Sequence, residues 1–464
     1  MRAYPLWEIA EIIGGNIIRG DRRRPITRVE IDSRKVNPGD LFWCIQGDRV
    51  DGHGFVADVA QKGAGAAIIE HPVDLPESSY ISHDFGLVKV DSTVRAIGIL
   101  AKAYRAELPA SVIGVTGSIG KTSTKDLAGS VLCTRFSTYR NPGNLNSHIG
   151  LPLAVFGMDS SYRYAFLEMA MRKKGEITEL CDLVNPEIGI LTDISDSHLG
   201  ELGSIENIAE AKSELLAYLP ADGLAIVCGD NPWVRKVSDR AKCKTVSYGL
   251  SAGCDLRGYD VKTLGAEGSD FAVTYKGAHY RFSVKTPGLH QVQNSLAAVA
   301  LGLELGLTYD EIRRGLASAN LSPMRLQVME FPKITVINDA YNASPKSMRA
   351  ALDLLSQIGR DRRLAVLGDM FELGESGPES HRGVGRYAAA KATHLVTIGQ
   401  LGSEIKAGWD EVSSGPSVHF PDKDSAWEYL SGGLMEGDVY LVKASRGMGF
   451  ETLIESFSKT GADG

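Results

Sequence analysis

The sequence predicts an α/β protein of three domains, and three observations lead to this fold class. The chain has 464 residues, 43% of them apolar, which is enough for about three domains at roughly 150 residues each. Runs with the apolar period of strands alternate with runs of helical period, as in doubly wound parallel sheets. A β-branched strand that passes through a glycine turn into a helix, within 111–132, forms the centre of the fold.

Composition excludes several classes of protein. A formal net charge of −7 provides no basic surface of the kind that binds nucleic acid. Six cysteines, none in a C-x-x-C pair, predict reduced thiols. Glu8 and Glu11 interrupt the apolar start of the chain, which argues against a signal peptide, and the most apolar segment, 295–307, is too short to cross a membrane. We expect a cytoplasmic protein and a monomer.

The first predicted domain, 1–84, is a small α/β unit. A helical pattern at 6–15 precedes strand patterns at 25–31 and 41–45, and a glycine-bracketed loop leads into a further helix and strand over 51–69. Residues just after a strand or just before a helix are typical contacts of an anionic ligand. Those at such positions are Ser33, Arg34, Asp51, Gly52 and His53. An arginine paired with a neighbouring acid and a helix-capping aspartate explain the same pattern.

The second predicted domain, 85–320, contains a phosphate-binding loop. A helix over about 93–107 leads into the strand, and Gly-x-x-Gly-Lys-Thr follows it, with Val115 where the longer common P-loop pattern has glycine. Such glycines let backbone N–H groups surround an anion at a helix N-terminus, while the lysine adds a charge and the threonine hydroxyl ligates Mg²⁺. The predicted triphosphate-binding residues are Gly117, Ser118, Gly120, Lys121, Thr122 and Ser123.

Polar residues follow the next strands of this domain. Asn146 lies in an Asn-rich loop, and Glu168 ends a buried strand, where a carboxylate holds magnesium or is a surface acid. Asp193, Asp196 and His198 follow another strand as either metal ligands or ordinary polar residues. Lys212 lies on the amphipathic helix that begins after Ser204, and its position by itself predicts a solvated side chain. A β-hairpin at 259–285 and a helix carrying His290 and Asn294 complete the domain.

The third predicted domain, 321–464, repeats strand, polar or glycine loop, and helix, which predicts a Rossmann-like doubly wound sheet. The carboxyl ends of parallel strands share one edge of the sheet, where ligands bind. The residues expected along that edge are Asp339, Asp369, Glu372, Ser445 and Arg446.

These segments together resemble the Mur ligase family over nearly the whole chain. The resemblance rests on IDSRKVNPGDLFWCIQGDRVDGHGF, GVTGSIGKTSTK, NLNSHIGLPLAVF, EMAMRKKGEI, HLGELGSIENIAEAKSEL, GLHQVQNSLAA, INDAYNASPKSM, LGDMFELGE with His381, and VKASRGMGFE. Gln291, Ser147, Ser344 and the 169–172 segment depart from the family pattern, and none of them removes a charged group.

The resemblance implies a role for each matching residue. Lys121, Lys212, His198 and Arg325 would serve catalysis; Thr122, Glu168, His198 and a carbamylated Lys212 would hold magnesium. Asn294, Arg325 and Asp339 would complete the ATP site. The implied substrate-binding residues are Ser33, Arg34, Asp51, Gly52, His53, Asn146, Tyr341, Asn342, Lys443, Ser445 and Arg446.

The resemblance also implies a reaction. The Tyr-Asn-Ala-Ser-Pro and Gly-Asp-Met-x-Glu-Leu-Gly stretches resemble the members that join D-alanyl-D-alanine to UDP-N-acetylmuramoyl-tripeptide with ATP. A sibling ligase with another amine acceptor, of the Mur, cyanophycin or folate type, is the alternative. A non-enzymatic nucleotide switch explains neither the Glu168, His198 and Lys212 set nor the third domain.

Overall fold

The computed structural model describes residues 1–47, 50–75, 82–197, 199–359 and 361–462. By its internal contacts the chain forms two compact units. The first comprises Met1–Gly114, Phe136–Met171 and Gly175–Ile188, and the second comprises Val115–Arg135, Arg172–Lys174 and Gly189–Gly464. Within the described part of the chain, no helix is both long and apolar enough to cross a membrane.

Strands and helices alternate along most of the chain. The strands are β1 (Tyr4–Pro5), β2 (Asn16–Arg19), β3 (Pro25–Ile26), β4 (Val29–Glu30), β5 (Leu41–Trp43), β6 (Ala66–Ile69), β7 (Gly86–Lys89), β8 (Ser111–Thr116), β9 (Thr138–Arg140), β10 (Tyr164–Glu168), β11 (Ile188–Leu191), β12 (Leu224–Cys228), β13 (Lys244–Gly249), β14 (Leu256–Thr263), β15 (Ser269–Tyr275), β16 (Ala278–Val284), β17 (Gln327–Glu330), β18 (Ile334–Asn338), β19 (Arg363–Gly368), β20 (His394–Ile398), β21 (Ser417–Phe420) and β22 (Asp438–Lys443). The helices are α1 (Leu6–Ile13), α2 (Val56–Gln61), α3 (Thr93–Ala106), α4 (Lys121–Leu132), α5 (Gly150–Phe156), α6 (Glu176–Val184), α7 (Leu199–Leu202), α8 (Ile205–Tyr218), α9 (Pro232–Val237), α10 (Leu289–Glu304), α11 (Tyr309–Ala317), α12 (Pro345–Ile358), α13 (Gly377–Ala389), α14 (Gly402–Asp410), α15 (Lys423–Gly432) and α16 (Glu451–Ala462).

The first unit contains a five-stranded sheet in the order β2-β7-β6-β5-β4. Strands β4 to β7 pair in parallel, and β2 is an antiparallel edge strand. Buried Phe42, Ala67 and Leu87 pack in one cluster with Val56 and Val59 of α2, so the predicted loop, helix and strand over 51–69 form one packed layer. Strands β9 and β10 of the same unit pair in parallel.

The second unit carries strands β12 to β16 in chain order. The pairs from β12 to β14 are parallel, and β14, β15 and β16 are antiparallel. Lys276 and Gly277 join β15 to β16 with φ of +48° and +78°, the two positive values that a tight hairpin turn requires. The predicted hairpin is therefore confirmed.

A six-stranded sheet in the order β17-β18-β22-β19-β20-β21 forms the end of the second unit. Its central strands are parallel, and β17 is antiparallel. Alternate residues of one strand enter different cores: Leu441 packs in one cluster, and Tyr440 and Val442 pack in the other. Both faces are covered, as in doubly wound sheets, which confirms the prediction for this part of the chain. The two predicted boundaries of the three domains, 84/85 and 320/321, stay a prediction.

Helices α13 and α14 approach so closely that Gly385 has no room for a side chain. A Cβ at Gly385 would lie 1.9 Å from the carbonyl oxygen of Ile405, whereas one at Gly383 on the same helix would meet nothing nearer than 3.8 Å. We expect Gly385→Ala to lower the free energy of unfolding by about 2 kcal/mol through overpacking. Gly383→Ala, the matched control, should raise it by roughly 0.5–1 kcal/mol through helix propensity. Urea unfolding of both variants measures the difference, and equal midpoints would contradict this packing argument.

Candidate functional site

The glycine turn after β8 is built around two close backbone approaches. Gly117 has φ +151°, and a Cβ there would lie 2.1 Å from Thr192 Oγ1; Gly120 has φ +82°, and a Cβ there would lie 2.7 Å from Asn294 Oδ1. Both positions therefore require glycine. Gly120 is the N-cap of α4, so the turn presents a helix N-terminus of the kind that binds phosphate.

Lys121 begins α4 and folds back over the turn. Its Nζ donates to the carbonyl oxygens of Gly117 at 2.7 Å and Ser118 at 3.2 Å. The ammonium group therefore lies over the phosphate-binding turn, as the sequence predicts. Thr122 and Ser123 follow in the first helical turn with buried side chains.

Arg325, which lies just before β17, contacts the same turn. Its Nη2 donates to Thr122 Oγ1 at 3.0 Å, and its guanidinium lies 3.8 Å above the ring centre of Tyr341. Met324 and Leu326, on either side, adopt φ of +60° and +52°, a strained conformation for such side chains that is typical of functional sites.

Glu168 is a buried carboxylate at the end of β10, only 3% exposed. Asn146 donates its side-chain amide to Oε1 at 2.8 Å, and the Glu168 N–H donates to Asn141 Oδ1 at 3.0 Å. The surface-acid interpretation is therefore wrong. Asn146, predicted to bind substrate, orients this carboxylate.

Lys212 lies within α8 and is 1% exposed, so the solvated interpretation of its helical position is wrong. Burial lowers the pKa of its ammonium group well below the usual value, and the charge of Lys121 adds to that effect while Asp193 opposes it. A lowered pKa favours the neutral amine, which is the form that reacts with carbon dioxide. His198, predicted beside it, lies outside the described residues.

Asp339 and Lys443 form a buried ion pair where β18 and β22 end. Lys443 Nζ donates to Asp339 Oδ2 at 2.5 Å and to the Asn342 carbonyl oxygen at 2.7 Å. Burial lowers the pKa of Lys443, and the charge of Asp339 opposes that shift. Lys443 thus organises the loop of Asn342 and Tyr341 by direct contacts.

Of the remaining polar residues predicted along this edge, Ser445 and Asp369 are in direct contact. The Ser445 N–H donates to the Asp369 carbonyl oxygen at 3.0 Å, and Ser445 Oγ accepts the Phe371 N–H at 2.8 Å. Glu372 of this loop has φ +65°. Arg446 is exposed, with its guanidinium 5.9 Å from the ring centre of Tyr341.

His290 lies near the start of α10 with a buried Nε2 that has no hydrogen-bond partner in the described part of the chain. Burial lowers its pKa to about 4; Asp339 and Asp353 oppose the shift, and Lys443 adds to it. Because the unfolded imidazole titrates near 6.5, the unfolded chain takes up the proton first, and stability falls as the pH decreases from 6.5 to 4.

We expect this loss to be about 2 kcal/mol, since the ring keeps some exposure to solvent. The His290→Asn variant should lack this loss of stability, so its free energy of unfolding should depend less on pH. Urea unfolding between pH 7 and pH 4 measures it, with exposed His83→Asn as the control. Parallel curves for His290→Asn and the unmodified protein would contradict the assignment.

The first unit holds a cluster of metal-ligating residue types. One donor atom from each of Asp51, His53 and His71 lies within 4.8 Å of the others. His53 Nε2 accepts the Glu70 N–H at 2.9 Å, so Nδ1 carries the proton and donates to Asp51 Oδ1 at 2.6 Å. Both ring nitrogens of His53 therefore take part in hydrogen bonds, and Asp51 links His53 to His71.

Ser33 and Arg34 lie on a different loop of this unit. Arg34 is exposed and pairs with Asp32 at 2.8 Å, while the Ser33 carbonyl oxygen accepts from Lys62 Nζ. The alternative of an arginine paired with a neighbouring acid is thus present in the structure. The alternative of a helix-capping aspartate is present too, because Asp51 accepts the His53 N–H at 3.0 Å.

The fold and the phosphate-binding turn define an α/β protein of the P-loop class. Models of three Mur ligase domains match the chain: the "Mur ligase family, catalytic domain" at 25–105, the "Mur ligase middle domain" at 115–302 and the "Mur ligase, glutamate ligase domain" at 324–446. The chain belongs to the Mur ligase family, which confirms the prediction from its sequence motifs.

Curated relatives and solved structures match this chain over nearly its whole length. UDP-N-acetylmuramoyl-tripeptide--D-alanyl-D-alanine ligase of Bacillus subtilis (strain 168) is 37% identical over 457 residues, 96% of each chain. A crystal structure of MurF from Acinetobacter baumannii is 30% identical with a TM-score of 0.87, covering 98% of this chain and 99% of that chain. MurF ligase from Thermotoga maritima in complex with ADP is 28% identical with a TM-score of 0.79, covering 94% and 98%.

Proposed function

We propose that this protein is the ATP-dependent ligase that joins D-alanyl-D-alanine to UDP-N-acetylmuramoyl-tripeptide and releases ADP and phosphate. The observation that carries the proposal is the convergence of Lys121 and Arg325 on the glycine turn at Thr122. Similarity to ligases of that name over 96% of the chain supports the choice of substrates. The product would be the pentapeptide precursor of peptidoglycan.

The reaction proceeds in two displacements. A carboxylate oxygen of the tripeptide attacks the γ-phosphorus, the bond from that phosphorus to the bridging oxygen breaks, and ADP leaves. The neutral amine of the dipeptide then attacks the acyl carbon and forms a tetrahedral intermediate. The intermediate loses phosphate as its C–O bond to the phosphate breaks, and the nitrogen releases one proton to solvent. Lys121 and Arg325 neutralise charge that develops on the transferred phosphoryl group, and the glycine turn positions it.

Magnesium would be held by Thr122, Glu168, His198 and a carbamylated Lys212. Hydroxyl and carboxylate oxygens are the ligands magnesium prefers, and the buried Glu168 carboxylate, oriented by Asn146, fits that chemistry. When bound, the ion would neutralise charge on the phosphates. The buried amine of Lys212 supports its conversion to a carbamate, which would add an acidic ligand.

We assign the other predicted residues by the same similarity. Asn294 and Asp339 would contact the nucleoside of ATP, and the Ser33, Arg34 and 51–53 positions would contact the uridine nucleotide. The Tyr341, Asn342, Ser445 and Arg446 edge would contact the incoming dipeptide, with Lys443 supporting it. We also propose the three-domain division at 84/85 and 320/321, a cytoplasmic location and a monomer.

An omission assay tests the proposed function. The purified chain should release phosphate and form pentapeptide, identified by mass spectrometry, only when ATP, Mg²⁺, UDP-N-acetylmuramoyl-tripeptide and D-alanyl-D-alanine are all present. Activity with another amino acid or peptide in place of the dipeptide would identify a sibling ligase. ATP hydrolysis without either peptide, or no pentapeptide with all four components, would overturn the proposal.

A further inference from the structure

Asp193 braces the phosphate-binding turn through its backbone. It follows β11, and the Ser118 N–H of the turn donates to its carbonyl oxygen at 2.8 Å. The neighbouring Thr192 N–H donates to the Thr116 carbonyl oxygen at 3.0 Å. The chain after β11 therefore lies beside the end of β8, where the phosphate-binding turn begins.

Asp193 is a buried residue, 5% exposed, and the two oxygens of its carboxylate have different hydrogen-bond partners. Oδ1 accepts from Asn231 Nδ2 at 2.7 Å and from Lys346 Nζ at 2.5 Å. Oδ2 is buried and, across the residues that the structure describes, has no hydrogen-bond partner. A buried carboxylate oxygen without a donor is costly, so native structures usually provide one.

The chemistry of this oxygen suits a hydrated cation, because the waters bound to a cation are hydrogen-bond donors. In P-loop proteins, an aspartate at the end of a strand near the phosphate-binding strand commonly holds Mg²⁺ together with the P-loop hydroxyl. Mg²⁺ keeps several of its waters, and each can donate to a carboxylate outside the inner coordination shell. The charge of Asp193 acts on the buried Lys212, one of the residues to which we assign magnesium.

We propose that Asp193 is an additional magnesium-holding residue, whose unpartnered Oδ2 accepts a hydrogen bond from a water of the Mg²⁺ that accompanies the nucleotide. The inference rests on the proposed function, because that function brings the nucleotide and its metal to this turn. It adds Asp193 to the four residues assigned there and gives the orphaned oxygen a donor.

The test is Mn²⁺ binding to the full chain, followed by electron paramagnetic resonance at a fixed, saturating ADP concentration. Asp193→Asn removes the charge and keeps an oxygen for the Asn231 amide, and we expect it to weaken Mn²⁺ binding about tenfold. Exposed Asp222→Asn, the matched control, should bind Mn²⁺ within twofold of the unmodified protein. Lys346→Met, which removes only the exposed partner of Oδ1, should not weaken binding.

Each outcome separates this inference from the proposed function. If the unmodified protein binds no Mn²⁺ with ADP, the assigned magnesium site fails as a whole. If it binds Mn²⁺ and Asp193→Asn matches it, only the role of Asp193 is overturned. The same conclusion follows if Lys346→Met causes an equal loss, or if Asp193→Asn weakens metal-free ADP binding as strongly.

A second variant covers a failure of Asp193→Asn to fold, judged by thermal unfolding. The double variant Asp193→Ser with Lys346→Met removes both charges of the ion pair, so neither charged group is left without its partner. It should show the same tenfold weakening of Mn²⁺ binding, and binding equal to that of Lys346→Met alone would overturn the inference.

Discussion

Lys121→Met is expected to lower the rate of ATP-dependent ligation by about a thousandfold. The ammonium group of Lys121 lies over the phosphate-binding turn, within 2.7 Å of the Gly117 carbonyl oxygen. Removing a preorganised positive group that faces developing negative charge typically costs 10²–10³-fold in rate. Phosphate release with both peptide substrates, at saturating ATP, measures the change.

The matched control is Lys102→Met, which removes an exposed lysine of α3 and should leave the rate unchanged within twofold. Because Lys121 also bonds to the turn itself, thermal unfolding of both variants separates a lost charge from a disordered turn. A folded Lys121→Met variant with more than a tenth of the original rate would show that the lysine does not serve phosphoryl transfer.

The elements that sequence reasoning predicted well are those defined by local patterns. The glycine turn follows from a β-branched strand, two glycines and a helix start within 111–132, and the structure has β8 and α4 there. The hairpin at Lys276 and Gly277 and the parallel strands of the last sheet follow likewise from short-range periodicity. Local chemistry determined these elements, so the sequence was sufficient.

Burial and long-range pairing could not be predicted in that way. Nothing around Lys212 in the sequence distinguishes a buried lysine from a solvated one, because the packing that covers it comes from other segments. Lys443 and Asp339, 104 residues apart, are each plausible ligand contacts in isolation. Only the fold shows that they neutralise each other.

Asp193 illustrates a residue for which the sequence left the choice open. It was one of three polar candidates after β11, together with Asp196 and His198, and the resemblance selected only His198. The signal that distinguishes Asp193 is an oxygen buried without a donor, which depends on the positions of Asn231 and Lys346. No spacing rule contains that information.

Lys212→Ala is expected to lower the ligation rate at least a hundredfold and to be rescued in part by small carboxylates. Burial lowers the pKa of the Lys212 amine, which favours the neutral form whose lone pair attacks carbon dioxide; a C–N bond forms and one proton is released. Acidification protonates the amine and reverses this reaction. The proposed carbamate therefore supplies a negative charge that alanine lacks and that added acetate or formate can replace.

Three measurements separate this chemistry from a structural role of the lysine. Depleting bicarbonate should lower the activity of the unmodified protein and not that of Lys212→Ala rescued with acetate. Native mass spectrometry should detect one added carbon dioxide, which Lys212→Arg should lack. Arginine keeps the length and positive charge but has no neutral amine at pH 7, so it should be as inactive as alanine; a fully active Lys212→Ala or Lys212→Arg variant would exclude the carbamate as a ligand.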